Sequence, residues 1–197
     1  MSQDWLARFR RCGAVQDGHF LLSSGLHSST YVQSALILQY PEEAGALGQA
    51  LAGHVRDLRP EVVVGPALGG IVIAHELARA LGCRAIFTER VDGRMQLRRG
   101  FSVAPGERAL LVEDVVTTGG SVGEVAALVR AAGGSVAGVG ALVDRRGEGA
   151  DLGAPLAALI TLDLPVYAPD ACPLCRAGVP INKPGSRPRP VAHAGEG

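Results

Sequence analysis

Apolar positions along the chain follow two rhythms. Short, nearly unbroken apolar runs alternate with longer segments in which apolar residues recur at helical spacing. The runs EVVVG (61–65), RAIFTE (84–89), ALLVE (109–113), SVAGVGALVD (135–144) and APLAALITL (154–162) read as buried strands. Among them, GIVIAHELARALG (70–82) and SVGEVAALVRAAGG (121–134) read as amphipathic helices closed by Gly82 and Gly133. Strands alternating with helices predict βαβ units and a mostly parallel sheet covered on both faces, an α/β fold. Upstream, SQDWLARFRRCG (2–13) predicts a short helix with Trp5, Leu6 and Phe9 on one face and Gly13 as its stop. HFLLSSG (19–25) and TYVQSALIL (30–38) predict strands around a turn, and Pro41 with Glu42 and Glu43 starts a helix to about Leu58. Residues 183–197, rich in Pro, Gly and polar side chains, predict a flexible tail after a single domain spanning 1–182.

Composition narrows the classes. The 197 residues carry a formal net charge of zero, so no molecule-wide field favours nucleic acid or an anionic membrane. The N-terminus has no apolar core of signal-peptide length, and no apolar run reaches the roughly 18 residues of a membrane helix. Cys12, Cys83, Cys172 and Cys175 are too scattered for a disulfide scaffold. A cytoplasmic protein is expected. Lys183 is the only lysine, so anion binding falls to planar arginine forks.

The densest chemistry lies in ALLVEDVVTTGGSV (109–122). Glu113 and Asp114 end an apolar strand, and Thr117, Thr118, Gly119, Gly120 and Ser121 then open a helix. Ligands bind at the carboxyl ends of strands in open parallel sheets, and a helix N-terminus with bare glycine backbone cradles phosphate. The acids would repel that phosphate; they suit a neutral diol or a cation. A ribose with its 5-phosphate satisfies both halves. There is no GxxxxGK[ST] and no GxGxxG after a strand, so P-loop and dinucleotide folds are excluded. A capped strand-to-helix turn without ligand would show the same local pattern.

This ordered run resembles the ribose-5-phosphate signature of type I phosphoribosyltransferases. The resemblance implies that fold, with a small N-terminal hood over about residues 1–40, and a ligand, phosphoribosyl pyrophosphate (PRPP). It implies that Glu113 and Asp114 hold the ribose 2- and 3-hydroxyls while Val115, Val116 and residues 117–121 surround the 5-phosphate. VVVGPALGGI (62–71) resembles the pyrophosphate loop of the same family, with Leu68 and Gly69 at its tip where orotate enzymes often carry lysine. FTERVDGRMQLRRGFSV (87–103) takes the place of a flexible basic lid that often reaches a neighbouring subunit's site. Arg90 aligns there, with Arg94 standing in for a lysine.

FLLSSGLHSSTYVQSALIL (20–38) is similar to the opening of orotate phosphoribosyltransferases. By that resemblance Ser23, Tyr31, Thr117 and Arg145 contact orotate, with Arg145 gripping its carboxylate as a fork-shaped cation. The implied catalytic residues are Arg90, Arg94 and Asp114, acting with Mg2+ through an oxocarbenium-like transition state in a homodimer. The implied product is orotidine 5'-monophosphate, on the route to UMP. Two rivals stay open: a purine-type phosphoribosyltransferase, and a PRPP-sensing regulator on the same fold that binds nucleic acid. CPLCRAG (172–178) lies outside the resemblance. No histidine has ligand spacing near its cysteines, so a structural turn and no bound metal are expected, with zinc shared across a dimer as the alternative.

Overall fold

The computed structural model describes residues 4–22, 24–146 and 151–184. The described residues form two compact units: one lies within 4–16 and 32–163, the other within 17–31 and 164–184, and the expected tail from 185 on lies outside the described residues.

The larger unit is built on a six-stranded sheet of order β5-β4-β3-β6-β7-β8. Its strands are β3 (Val62–Pro66), β4 (Arg84–Val91), β5 (Arg94–Leu97), β6 (Arg108–Val116), β7 (Ser135–Asp144) and β8 (Leu156–Thr161). All neighbours pair in parallel except β4 and β5. Pleating sends alternate side chains to opposite faces. Val63, Leu110, Val112 and Leu142 join α3 (Pro41–Val55) and α4 (Gly69–Leu81) in one core, whereas Val62, Val64, Ala109 and Leu111 join α5 (Gly120–Ala131) in another. The two covered faces account for the unbroken apolar runs. From β3 the chain goes to β4 on one side and later returns to β6 on the other, so the strand order reverses between β3 and β6. Such a reversal opens a crevice at the carboxyl ends. Both glycine-bearing loops emerge there.

Three expectations are corrected. The acids do not end their strand: β6 continues through Glu113 and Asp114 to Val116, with Glu113, Val115 and Val116 paired to Ala141, Val143 and Asp144 of β7. TYVQSALIL is not one strand. β2 (His27–Val32) stops, and Ala35–Leu38 turn into a short helix, α2, with Ile37 and Leu38 N–H groups donating to Ser34 O. A short apolar run cannot distinguish these states by periodicity. The basic segment after β4 is not a loop between strands but an antiparallel β4–β5 hairpin, turned by Asp92 and Gly93 at φ 48° and 80°. Asp-Gly is the type I′ signal, since both positions need positive φ.

The smaller unit contains β1 (Val15–Leu21, from Asp17 on), most of β2 and β9 (Val166–Tyr167), in the order β1-β2-β9. A four-residue helix, α6 (Pro173–Arg176), follows. α1 (Trp5–Arg11) belongs to the larger unit; the Asp4 carboxylate caps it, accepting from Ala7 N at 3.0 Å.

Candidate active site

The reversal point assembles the acids, the glycine loops and one arginine. Glu113, Val115, Val116 and residues 117–122 line an open cleft at the start of α5. The chain enters α5 through Gly119, whose φ of 78° lies in the left-handed region. The backbone therefore favours glycine, and a side chain there would also have to displace the end of Leu152. Gly120 N donates to Thr118 Oγ1 at 3.4 Å. The opening N–H groups of this helix, its positive dipole end and the hydroxyls of Thr117, Thr118 and Ser121 can receive a phosphate.

The two acids sit in different surroundings. Glu113 is buried, 9 % exposed. Burial, then the neighbouring Asp114 charge, pushes its carboxyl up from the ordinary 4.5 to about 9. At neutral pH Glu113 therefore keeps its proton. Together they can donate to one hydroxyl and accept from another.

Asp114 points at the other loop. A Cβ built on Gly69 would lie 2.5 Å from Asp114 Oδ1. The space a Cβ would take at position 69 is occupied by that carboxylate, so Asp114 lies against the tip of the loop. A Cβ on Gly65 would lie 2.5 Å from Gly70 O, so that glycine serves loop packing. Leu68 stands 77 % exposed at the N-cap of α4, and the peptide between Ala67 and Leu68 is cis.

Arg145 follows β7. Its N–H donates to Val116 O at 2.8 Å, which ties it to the residue before the Thr-Thr-Gly-Gly run, and its side chain is half-buried. Arg146 closes a bidentate pair on Asp144, 2.9 and 3.0 Å, and that pair holds the Asp144 carboxyl below its usual range against the opposing effect of burial.

The lid arginines are not gathered at the cleft. Arg90 is on β4 and its guanidinium grips Glu124 of α5 with contacts of 2.7 and 3.1 Å. Arg94 is exposed on β5. Arg99 pairs with Glu89 at 2.8 and 3.0 Å and lies 5.8 Å from the Phe87 ring centroid. Tyr31 belongs to the smaller unit, its ring tilted against Phe20 with centroids 5.6 Å apart. Ser23 lies outside the described residues.

Sequence reasoning missed Glu124, although an acid one turn into the phosphate-loop helix is a natural partner for a lid arginine. It also missed the surroundings of the cysteines. His19 and His27, which showed no spacing toward Cys172 and Cys175, lie against them in the folded chain, which corrects the reading that no histidine stands near these cysteines.

Comparisons with known proteins agree with this geometry. The family pattern described as "Phosphoribosyl transferase domain" matches residues 34–155. A protein of Caldicellulosiruptor bescii named orotate phosphoribosyltransferase is 50 % identical over 188 residues, 95 % of this chain and 99 % of that one. One of Pelotomaculum thermopropionicum with the same name is 53 % identical over 182 residues, 92 % of this chain and 96 % of its own. The crystal structure of orotate phosphoribosyltransferase from Aeropyrum pernix superposes with a TM-score of 0.67 at 30 % identity, covering 78 % of this chain and 91 % of that one. An adenine phosphoribosyltransferase from Thermoanaerobacter pseudethanolicus, 18 % identical, with 68 % of this chain and 88 % of its own covered, shares the fold at a TM-score of 0.59.

Proposed function

The chain belongs to the phosphoribosyltransferase family, and within it to the orotate phosphoribosyltransferases, and from that premise we propose how its residues perform the transfer. The reaction moves ribose 5-phosphate from PRPP to orotate, giving orotidine 5'-monophosphate and pyrophosphate, a step of pyrimidine synthesis. The observation that supports the assignment of residues is the meeting of both loops at one strand reversal, with Asp114 against Gly69.

Residues 117–121 receive the 5-phosphate, with Val115 and Val116 leading into them. The protonated Glu113 and its neighbour Asp114 hold the ribose 2- and 3-hydroxyls. Leu68 and Gly69 carry the backbone that receives the pyrophosphate. Orotate brings its own nucleophilic nitrogen, so this chain's task is positioning and electrostatics. The Asp114 charge favours positive character developing at C1 of the ribose. Arg90, released from Glu124, adds charge at the leaving group and helps exclude water, with Arg94 nearby on the same hairpin. Arg145 takes the orotate carboxylate and Thr117 its ring edge.

Mg2+ fits the donor set. It prefers oxygen ligands and is typically held by one or two carboxylates plus substrate phosphates, and Asp114 offers one such carboxylate. Asp114 would hold it against the substrate, where it would supply charge neutralisation on the pyrophosphate. We further propose a homodimer that shares the lid, acting in the cytoplasm. No described helix is long and apolar enough to cross a membrane.

Arg145 tests the pyrimidine assignment. Losing a charge-assisted contact costs about 2–3 kcal/mol, so Arg145→Ala lowers kcat/KM for orotate roughly 30- to 150-fold, with little change in PRPP affinity. Arg145→Lys recovers part, because an ammonium lacks the paired donors. Unchanged orotate kinetics in Arg145→Ala would remove the residue from the base site.

A further inference from the structure

Four soft donors converge in the smaller unit from two distant parts of the sequence. His19 on β1, His27 on β2, Cys172 before α6 and Cys175 within it each place one ligand atom within 4.8 Å of the others. His19 Nε2 lies 3.0 Å from His27 Nδ1, 3.5 Å from Cys172 Sγ and 3.7 Å from Cys175 Sγ. Cys175 Sγ is 3.3 Å from His27 Nδ1. A tetrahedral zinc with Zn–S of about 2.3 Å and Zn–N of about 2.0–2.1 Å has N–N, N–S and S–S edges of about 3.3, 3.6 and 3.8 Å. The one N–N and three N–S separations above fall within a few tenths of an ångström of those edges.

Three further observations point the same way. His19 Nδ1 lies 2.8 Å from Val179 O; a carbonyl only accepts, so Nδ1 carries the proton and Nε2 turns its lone pair inward. That outer hydrogen bond is the arrangement that orients metal-binding imidazoles. The cysteines form no disulfide despite their C-x-x-C spacing, and the turn that presents them is fixed by Arg176 N donating to Cys172 O. Finally, the unit has almost no core of its own. Among its described residues, Phe20 and Cys172 are the only buried apolar side chains, while His19 and His27 are buried polar groups. So small an apolar interior is ordinarily supplemented by a cross-link or a metal.

We propose that His19, His27, Cys172 and Cys175 bind one structural Zn2+, which clamps the C-terminal segment to the β1–β2 hairpin. Two thiolates with two imidazoles select zinc over Mg2+, so this site is chemically separate from the acid pair. Four protein ligands leave no open position, as in structural sites. Binding releases the two thiol protons to solvent.

The test uses the untagged full chain expressed with zinc and assayed by elemental analysis. One zinc per chain is expected. Exchange of that zinc for Co2+ should give the intense visible bands and thiolate charge transfer of tetrahedral S2N2 coordination, and chelation should lower the melting temperature. Cys175→Ser and His27→Gln, alone or combined, should bring zinc below stoichiometry. A wild-type chain without zinc, a Co2+ spectrum lacking thiolate bands, or zinc retained in the double variant overturns the proposal, leaving a hydrogen-bonded His–Cys cluster.

Discussion

Glu113 and Asp114 are adjacent in sequence yet meet different surroundings: Glu113 is buried, and Asp114 faces the second loop. Glu113 has its folded value raised from 4.5 to about 9, so its contribution to stability is complete below about pH 4.5 and is lost as pH rises through about 9. The ligand-free wild type should therefore lose melting temperature steadily from pH 5 to 9, while Glu113→Gln flattens that slope. Parallel profiles for the two proteins would show that Glu113 titrates normally. Asp114→Asn keeps the shape and removes the charge; it should weaken PRPP binding or turnover with the fold intact, and wild-type kinetics would sink the ribose assignment. Gly119→Ala combines a left-handed φ with a collision against Leu152. We expect a loss of about 1–3 kcal/mol in chemical denaturation, with weaker PRPP binding. These residues were legible from sequence by type and order. The protonation of Glu113 was not, because it depends on burial that only the assembled sheet creates.

At the scale of elements, the lid is a hairpin held down by an ion pair. Arg90 and Glu124 are solvent-accessible on both sides, 37 % and 41 % exposed, so the pair is screened and easily released. Arg90→Ala should lower kcat more than it raises KM for orotate, the signature of an interaction made chiefly in the transition state. Glu124→Gln removes the competing carboxylate and should keep kcat at or above wild type. Equal losses in both variants would make the pair a structural tie instead. The sequence showed four arginines in this segment but not their partners, since Glu89 and Glu124 meet them only through β4–β5 pairing and the docking of α5. It concealed α2 for a different reason: Ala-Leu-Ile-Leu is compatible with either state, and the hydrogen bonds to Gln33 and Ser34 carbonyls decide it.

Across the whole molecule, the parallel sheet and its two covering layers could be read from alternating apolar runs, and the phosphate loop from one ordered motif. The smaller unit was opaque, because its cohesion comes from residues 17–31 and 164–184 meeting across the chain rather than from any local period. The pairing of His27 with Tyr167 and the bridge between Phe20 and Asn182 create that meeting. The central claim concerns the larger unit: the chain is a phosphoribosyl donor enzyme for a carboxylated pyrimidine. The most direct measurement is kcat/KM for purified protein with PRPP and Mg2+, with orotate, uracil, adenine and hypoxanthine compared side by side. The account predicts orotidine 5'-monophosphate and pyrophosphate in equal amounts from orotate, with the other three bases far slower. Preference for adenine or hypoxanthine, or PRPP binding without turnover of any base, would contradict it.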